Sequence, residues 1–441
     1  SVTTGNRLPG FMGSATILGM DPTKSWNPGI GYVMGVKRDV APLLAQRGLL
    51  SADTLFNSPH EDTWSRTLSL QATLEPLRDM RIEVNATQNY SSREQYYYKF
   101  MNESGKVEGP MSYIMTGNYT STIWSLATAF TDADKVFATF LNNRDAVSSR
   151  LASLNGSPYA QRMVLDTMNG HYYHAGYSGN SQNVLLTSFL AGYLGKDVSK
   201  VDFSPFMAMP LPNWSVNYTG LNRIKWLKKW FNNISLSHKY SSTYTIGNYY
   251  TDAAIAGIDG YTYGKESVVS STGDYIAPVS MDAVQIAEQF NPLVRVAVSM
   301  VNNLQINFSL QRNRTLALSF ANNQLTETSR SGITFGGGYR FKDVEINIKA
   351  GGKTLKFKSD VVLQLNVTHN SNKTNIRKIN QNLSQISSGS SVWMAEFSGE
   401  YALSSTLTLR LFFQTNINTP YISNSYPNST TKGGLTIRFS F

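Results

Sequence analysis

Cysteine is absent from this 441-residue chain, which excludes disulfides, thiolate metal sites and cysteine nucleophiles and leaves the redox compartment open. Charge is scarce, at 15% of residues, against roughly 25% in an average soluble domain. No stretch approaches the ~20 mostly apolar residues of a membrane-crossing helix. The best apolar run, Val184 to Leu194, is about half that length and suits a short packed helix. Of the five histidines, only His171 and His174 share a ligand-like spacing, and no third ligand lies near them, so a metal site is not read from the pair. The Gly336–Gly338 run leads into another strand-like segment rather than a helix, which points to a kink or a close backbone approach and not to a phosphate loop. Glu61 and Asp62 precede a strand without a second carboxylate at catalytic spacing, and no nucleophile-elbow or Walker pattern occurs. No catalytic, metal-binding or cofactor-binding residue follows from the sequence, and the chain is read as a non-enzyme. It opens on Ser1-Val-Thr-Thr-Gly5, which is not a secretory signal, so a processed or internal starting point is expected.

Aromatic side chains are plentiful instead, at 12%, with 24 Tyr and 21 Phe. Few charges and many Tyr and Phe fit a membrane barrel, where half of each strand is polar and aromatics girdle the interfaces. The net charge of +10 is spread along the chain, with one dense cluster from Arg223 through Lys225, Lys228 and Lys229 to Trp230. Basic residues mixed with Trp in a turn suit a membrane interface and anionic headgroups such as those of outer-membrane lipid. No nucleic-acid partner is read from it.

The final residues carry the sharpest pattern. Leu435, Ile437, Phe439 and Phe441 alternate with Thr436, Arg438 and Ser440, which puts the apolar side chains on one strand face. An alternating strand closed by a terminal Phe also has the form of a barrel-assembly signal. Similar alternation marks Leu68–Leu74 and Met80–Ala86 around a turn at 75–79, then Trp214–Tyr218, Ile234–Tyr240, Val294–Met300, Leu304–Leu310, Thr315–Phe320, Ile333–Phe341, Val361–Val367, Val392–Tyr401 and Leu407–Phe413. Turns are read at Asn302–Asn303, Gln311–Asn313 and Asn322–Asn323, and a long connection at Asn416–Thr431. The total is about 14 to 16 strands. Helical spacing appears over Val136–Leu154 and Gln182–Leu194, with Gly195 as cap, and over Val40–Arg47, closed by Gly48. Gly29–Gly35 reads as a strand. The expected organisation is barrel strands and connections over 1–120, a mainly helical insertion over 121–210 (plug, lid or periplasmic elaboration), and C-terminal antiparallel barrel strands over 211–441. The polar positions of Leu304–Phe320 and Leu407–Phe413 are mostly Gln, Asn, Ser and Thr with some Arg, as in a wide aqueous lumen.

The run Leu211-Pro-Asn213-Trp214, continuing through Tyr218, Gly220 and Leu221, resembles the SprA/Sov family, as do Leu236–Ile246 and Asn372–Ile379. The likeness extends to Leu407–Gln414, to Asn416–Ser423 with Asn418, Thr419, Pro420 and Tyr421, and upstream to Pro28–Gly35, Asp53–Asn57 and Leu74–Asp79. Members are cell-surface gliding-motility proteins that form the outer-membrane translocon of the type IX secretion system in Bacteroidetes. They are far longer, and this chain resembles their C-terminal portion. The resemblance implies part of a very large all-β transmembrane barrel passing folded cargo with C-terminal sorting domains. It also implies the remainder of the same translocon chain, a PorV-type barrel at a lateral opening, a periplasmic plug protein, and surrounding outer-membrane lipid or lipopolysaccharide. Two other readings of the pattern stay open: a small-solute outer-membrane porin or transporter with the 120–200 insertion as plug, and a soluble β-rich surface adhesin.

Overall fold

The computed structural model describes residues 1–439 except 15–17, 36–39, 102–103, 259, 351–352, 382, 404–405 and 424. Sixteen strands are present among the described residues. The first eight are β1 (Val2–Arg7), β2 (His60–Leu74), β3 (Met80–Met101), β4 (Lys106–Thr122), β5 (Met163–Leu165), β6 (Tyr172–His174), β7 (Asn213–Tyr218) and β8 (Phe231–Tyr250). The others are β9 (Ser280–Met281), β10 (Ala283–Met300), β11 (Leu304–Ser319), β12 (Gln324–Ala350), β13 (Lys353–Lys378), β14 (Leu383–Ala402), β15 (Leu407–Pro420) and β16 (Asn428–Phe439). The helices are α1 (Ile30–Val33), α2 (Ala41–Gln46), α3 (Ala133–Asn155) and α4 (Gln182–Leu194). Fourteen strands form one antiparallel sheet that runs β1-β2-β3-β4-β8-β10-β11-β12-β13-β14-β15-β16, with β7 between β3 and β8 and β9 beside β8. The fold is an all-β barrel wall carrying a helical insertion. Its solvent-accessible surface of 24415 Å² far exceeds the ~17,000 Å² of a compact monomer of this mass, as an open wall requires.

The insertion enters through a single rung of the sheet. β4 and β7 lie in line between β3 and β8: Ser121 pairs with Gln88 and Asn213 with Asn85 of the same strand. They are two halves of one sheet position, interrupted by residues 123–212. Side chains and loop backbone close the gap. Asn213 Oδ1 accepts the Ser242 N–H (2.9 Å) and Thr122 Oγ1 accepts the Thr87 N–H (3.2 Å). Ile123 N–H donates to the Ser242 carbonyl (3.1 Å) and Leu211 N–H to the Thr122 carbonyl (2.9 Å). Orphaned ladder groups would otherwise cost the sheet about 1–3 kcal/mol each.

Within the insertion, α3 starts where Asp132 caps the N–H groups of Asp134 and Lys135 (3.0 and 3.1 Å), and it stops at left-handed Gly156. Its buried stripe is Val136, Phe137, Phe140, Leu141, Val147 and Leu151. α4 is buried from Asn183 to Leu194 and ends at left-handed Gly195. Gly192 lies against the Phe140 backbone, where a larger residue would push the helices apart.

Three segments depart from the sequence pattern. The segment 29–35 holds the short helix α1, flanked by Gly29 and Gly35 at positive φ, rather than a strand. Residues 311–313 are not a turn, because β11 runs unbroken from Leu304 to Ser319 in register with β12. Residues 416–431 are largely strand, since β15 reaches Pro420 and β16 begins at Asn428. Asn and Thr there occupy ladder positions that mimic loop composition.

Candidate functional site

The wall has two unlike faces, and the register assigns every strand to them. On one face Ile306, Phe308 and Leu310 of β11 stand beside Gly337, Phe335 and Ile333 of β12. These continue through Leu365 and Val367 of β13, Phe397 of β14, Leu411 and Phe413 of β15, and Leu435 of β16. The same face continues the other way through Val298, Val296 and Val294 of β10, Ile234 and Leu236 of β8, Val216 and Tyr218 of β7, and Ile82 and Val84 of β3. Over the stretches just named no position on that face is Asp, Glu, Lys or Arg, whereas Arg312 of β11 and Lys373 of β13 stand on the same face one and two rungs farther toward 320–323. Nothing covers it: Phe335 is 49% exposed, Trp393 52%, Leu411 54% and Leu435 62%. An uninterrupted apolar surface of this extent marks contact with something other than water.

The opposite face is hydrophilic. β11 presents Gln305, Asn307, Ser309, Gln311 and Asn313, and β13 presents Gln364, Asn366, Thr368 and Asn370. Thr334 and Thr368 hydroxyls lie 3.3 Å apart across the ladder of this face. Gly332 and Gly336 of β12 fit between amide side chains of the flanking strands, Gln311 and Asn370 at the first, Asn307 and Asn366 at the second. Charges within the strands at band level collect on this face too, including Arg81, Glu83, Lys239, Arg295, Arg340, Glu396 and Arg410.

Beyond the band, toward the turn at 320–323, the apolar face is roofed. Tyr244, Ile246, Val284, Ile286, Leu316, Leu318 and Leu325 of the strands, with Ile379 of the turn after β13, form one core with Phe137, Phe140, Leu185 and Phe189 of α3 and α4. The insertion therefore sits on the apolar side of the wall, not on the polar side that a lumen plug would fill. Two buried ion-pair groups lie at the frontier between bare and roofed surface. Glu288 pairs with Arg314 at 2.9 Å, accepts the Ser125 hydroxyl at 2.6 Å, and Arg314 donates to the Thr128 carbonyl at 3.0 Å. Arg377 bridges Glu327 (3.1 Å) and Asp134 at the start of α3 (2.6 Å), with its guanidinium over the Phe137 ring. Sequence reading missed all of these. Their signal was a charged residue within an apolar alternation.

The sequence-marked residues divide between the faces. Leu435, Ile437 and Phe439 share the bare face of β16, while Phe441 lies outside the described residues. Asn213 patches the broken rung, and Trp214 packs on Tyr240 with ring centroids 4.6 Å apart. Tyr218 ends β7 and lies against buried Gly220, with Leu221 following in the same connecting turn. Asn418 pairs with Val392 of β14, Thr419 and Pro420 end β15, and the Tyr421 hydroxyl meets Ser371 Oγ at 2.7 Å. His171 faces Asp145 (3.1 Å), whereas His174 Nδ1–H donates to the Ala160 carbonyl (2.9 Å), so their rings serve different partners. Among the described residues no group of three acids or histidines converges on one point.

No protein-family model and no curated protein matches the chain. Among solved structures, it is similar to OmpT, an outer membrane protein of Vibrio cholerae, at 9% identity and a TM-score of 0.22, covering 87% of this chain and 99% of that one. It is also similar to an anion-selective porin from Comamonas acidovorans, at 7% identity and a TM-score of 0.14, covering 86% of this chain and 100% of that one. Likenesses this remote assign no function, and the two faces of the wall carry the functional reading.

Proposed function

We propose that this chain is a section of an outer-membrane β-barrel whose polar face borders a wide aqueous passage for folded proteins. The observation that carries the membrane part is the uncovered apolar band without a single charge, opposite a face of amides, hydroxyls and sparse charges. A soluble adhesin would have to leave that band in water at ~25 cal/mol per Å². The sheet's two ends, β1 and β16, are not joined to each other among the described residues. Further strands at these edges, from the remainder of the same translocon chain, would widen the lumen in step with strand number.

The resemblance to the SprA/Sov translocon supplies the finer reading: a passive type IX secretion pore of Bacteroidetes, with no reaction of its own. Cargo with C-terminal sorting domains would pass through it, a PorV-type barrel would cover a lateral opening, and a plug protein would close the periplasmic mouth. Serving the export of gliding-motility adhesins belongs to the same reading. A small-solute porin is the rival, and the placement of the helical insertion away from the polar face counts against its plug.

The test is a detergent pull-down from native outer membranes. A longer polypeptide carrying this sequence, recovered with a smaller barrel, supports the translocon. A protein recovered alone that gives small, uniform conductance steps overturns it in favour of the porin.

A further inference from the structure

At the end of the band away from the helical insertion, β7 and β8 are joined by the basic, Trp-containing segment 219–230. Trp226 and Trp230 are 65% and 62% exposed there, beside Lys225, Lys228 and Lys229. The segment is fastened at both ends. Arg223 forms an ion pair with Asp79, the Thr219 N–H donates to the Asp79 carbonyl (2.9 Å), and the Val301 N–H donates to the Trp230 carbonyl (3.0 Å). Arg223 is thus spent on Asp79, and the three lysines carry the charge available to a ligand.

Asp79 belongs to the β2–β3 turn, and Leu77 of that turn borders an apolar groove of about 390 Å³. Met80, Val216, Tyr218, Leu236 and Val294 line the rest of it. Tyr218 is the last residue of β7 and Leu236 lies near the start of β8, so the basic segment closes one end of the groove. The groove opens on the bare face of the wall, beside the register shift of β10 between Phe290 and Val294.

Resting on the membrane reading above, we propose that this groove holds one acyl chain of an anionic glycerophospholipid, with its phosphate held by Lys225, Lys228 and Lys229. The chemistry is matched at both ends. The lining is apolar except for Ser237 and His238, and the His238 Nδ1–H is engaged by the Leu293 carbonyl at 2.6 Å. Lysine ammonium groups are hydrated point charges suited to a lipid phosphate, and Trp settles at headgroup level. The volume lies near the small end of ligand pockets, which fits one chain better than the several chains of lipid A.

The test uses the full-length protein in vesicles of phosphatidylethanolamine that contain an acyl-chain photoprobe with either a phosphatidylglycerol or a phosphatidylcholine headgroup. Cross-linked peptides are mapped by mass spectrometry. The phosphatidylglycerol probe is expected to label the peptides holding Met80, Val216 and Leu236 at least about fivefold more than the phosphatidylcholine probe. Replacing Lys225, Lys228 and Lys229 together by Gln should equalise the two probes, and Val294→Trp should lower both by filling the groove. Equal labelling in the unaltered protein, a preference that survives the triple substitution, or displacement by lipopolysaccharide but not by phosphatidylglycerol would each overturn the site. Release of the protein by carbonate, with no labelling anywhere, would instead defeat the membrane reading on which the site rests.

Discussion

Along β11 one side of a single strand meets three surroundings. Ile306 and Phe308 lie on the bare band, Arg314 is buried at the frontier, and Leu316 and Leu318 are fully buried beneath the insertion. Residues of the same apolar class thus occur at both ends, yet only one end has a protein cover. Hydrophobic alternation shows that water is excluded; it does not show what excludes it. The charges discriminate. On this face Glu288, Arg314, Glu327 and Arg377 are buried where helices and loops provide partners, and Arg312 and Lys373 also lie beyond the bare band, Arg312 over the Phe130 ring, because an unpaired charge in hydrocarbon or a protein core is costly. The bare band, having no such partners, has no such charges.

Breaking the frontier should have the largest effect. Glu288→Ala strands the Arg314 guanidinium and is expected to cost about 3–5 kcal/mol of folded stability, much of it restored in the Glu288→Leu/Arg314→Met double variant. Urea titration of the folded, membrane-inserted form measures both. Next comes the contrast between neighbours on β13. Leu365→Arg should cost about 2–4 kcal/mol if that side faces the hydrocarbon midplane, whereas Gln364→Arg one position away should be nearly silent. Equal effects from the two would erase the distinction between faces.

Much of this contrast was legible in advance. Period-two runs such as Leu304–Leu310 and Leu435–Phe439 place the apolar side chains on one face because each position alternates without interruption. The helices were legible for the same reason, with α3 and α4 showing apolar spacing and a closing Gly. What could not be read is non-local. Gln311-Arg312-Asn313 looks like a turn until the Arg312 guanidinium is seen 5.1 Å above the Phe130 ring, a partner remote in sequence. The junction of Thr122 with Asn213 exists only in the register on β3 and β8, where two distant segments complete one strand position. The roof itself gives no local sign of which face it will cover.

A smaller effect separates the roof from the wall by pH. Burial raises the Glu266 carboxyl above its ordinary value, with the Tyr177 hydrogen bond opposing, and burial likewise raises Asp274. A carboxyl with a raised folded pKa holds its proton more tightly when folded. Its stabilising contribution is therefore present at acid pH and is lost as pH climbs from the ordinary carboxylate range through the raised value. Thermal unfolding of the helical insertion should soften over that window, and Glu266→Gln should remove part of the slope while strand melting is unchanged. The smallest effect belongs to the polar face, where Asn366→Ser should stay within about 0.5 kcal/mol by urea titration.

The two-faced wall is tested most directly by single cysteines placed one at a time along β15, since these 441 residues contain no thiol of their own. In intact outer membranes a membrane-impermeant maleimide should label Gln414→Cys and Asn416→Cys once the passage is open to water. It should leave Leu411→Cys and Phe413→Cys unlabelled until denaturant exposes them to water, because a thiol held in hydrocarbon does not ionise to the reactive thiolate. Labelling of all four by the water-soluble reagent, without the period of two, would contradict the assignment of the apolar face to lipid.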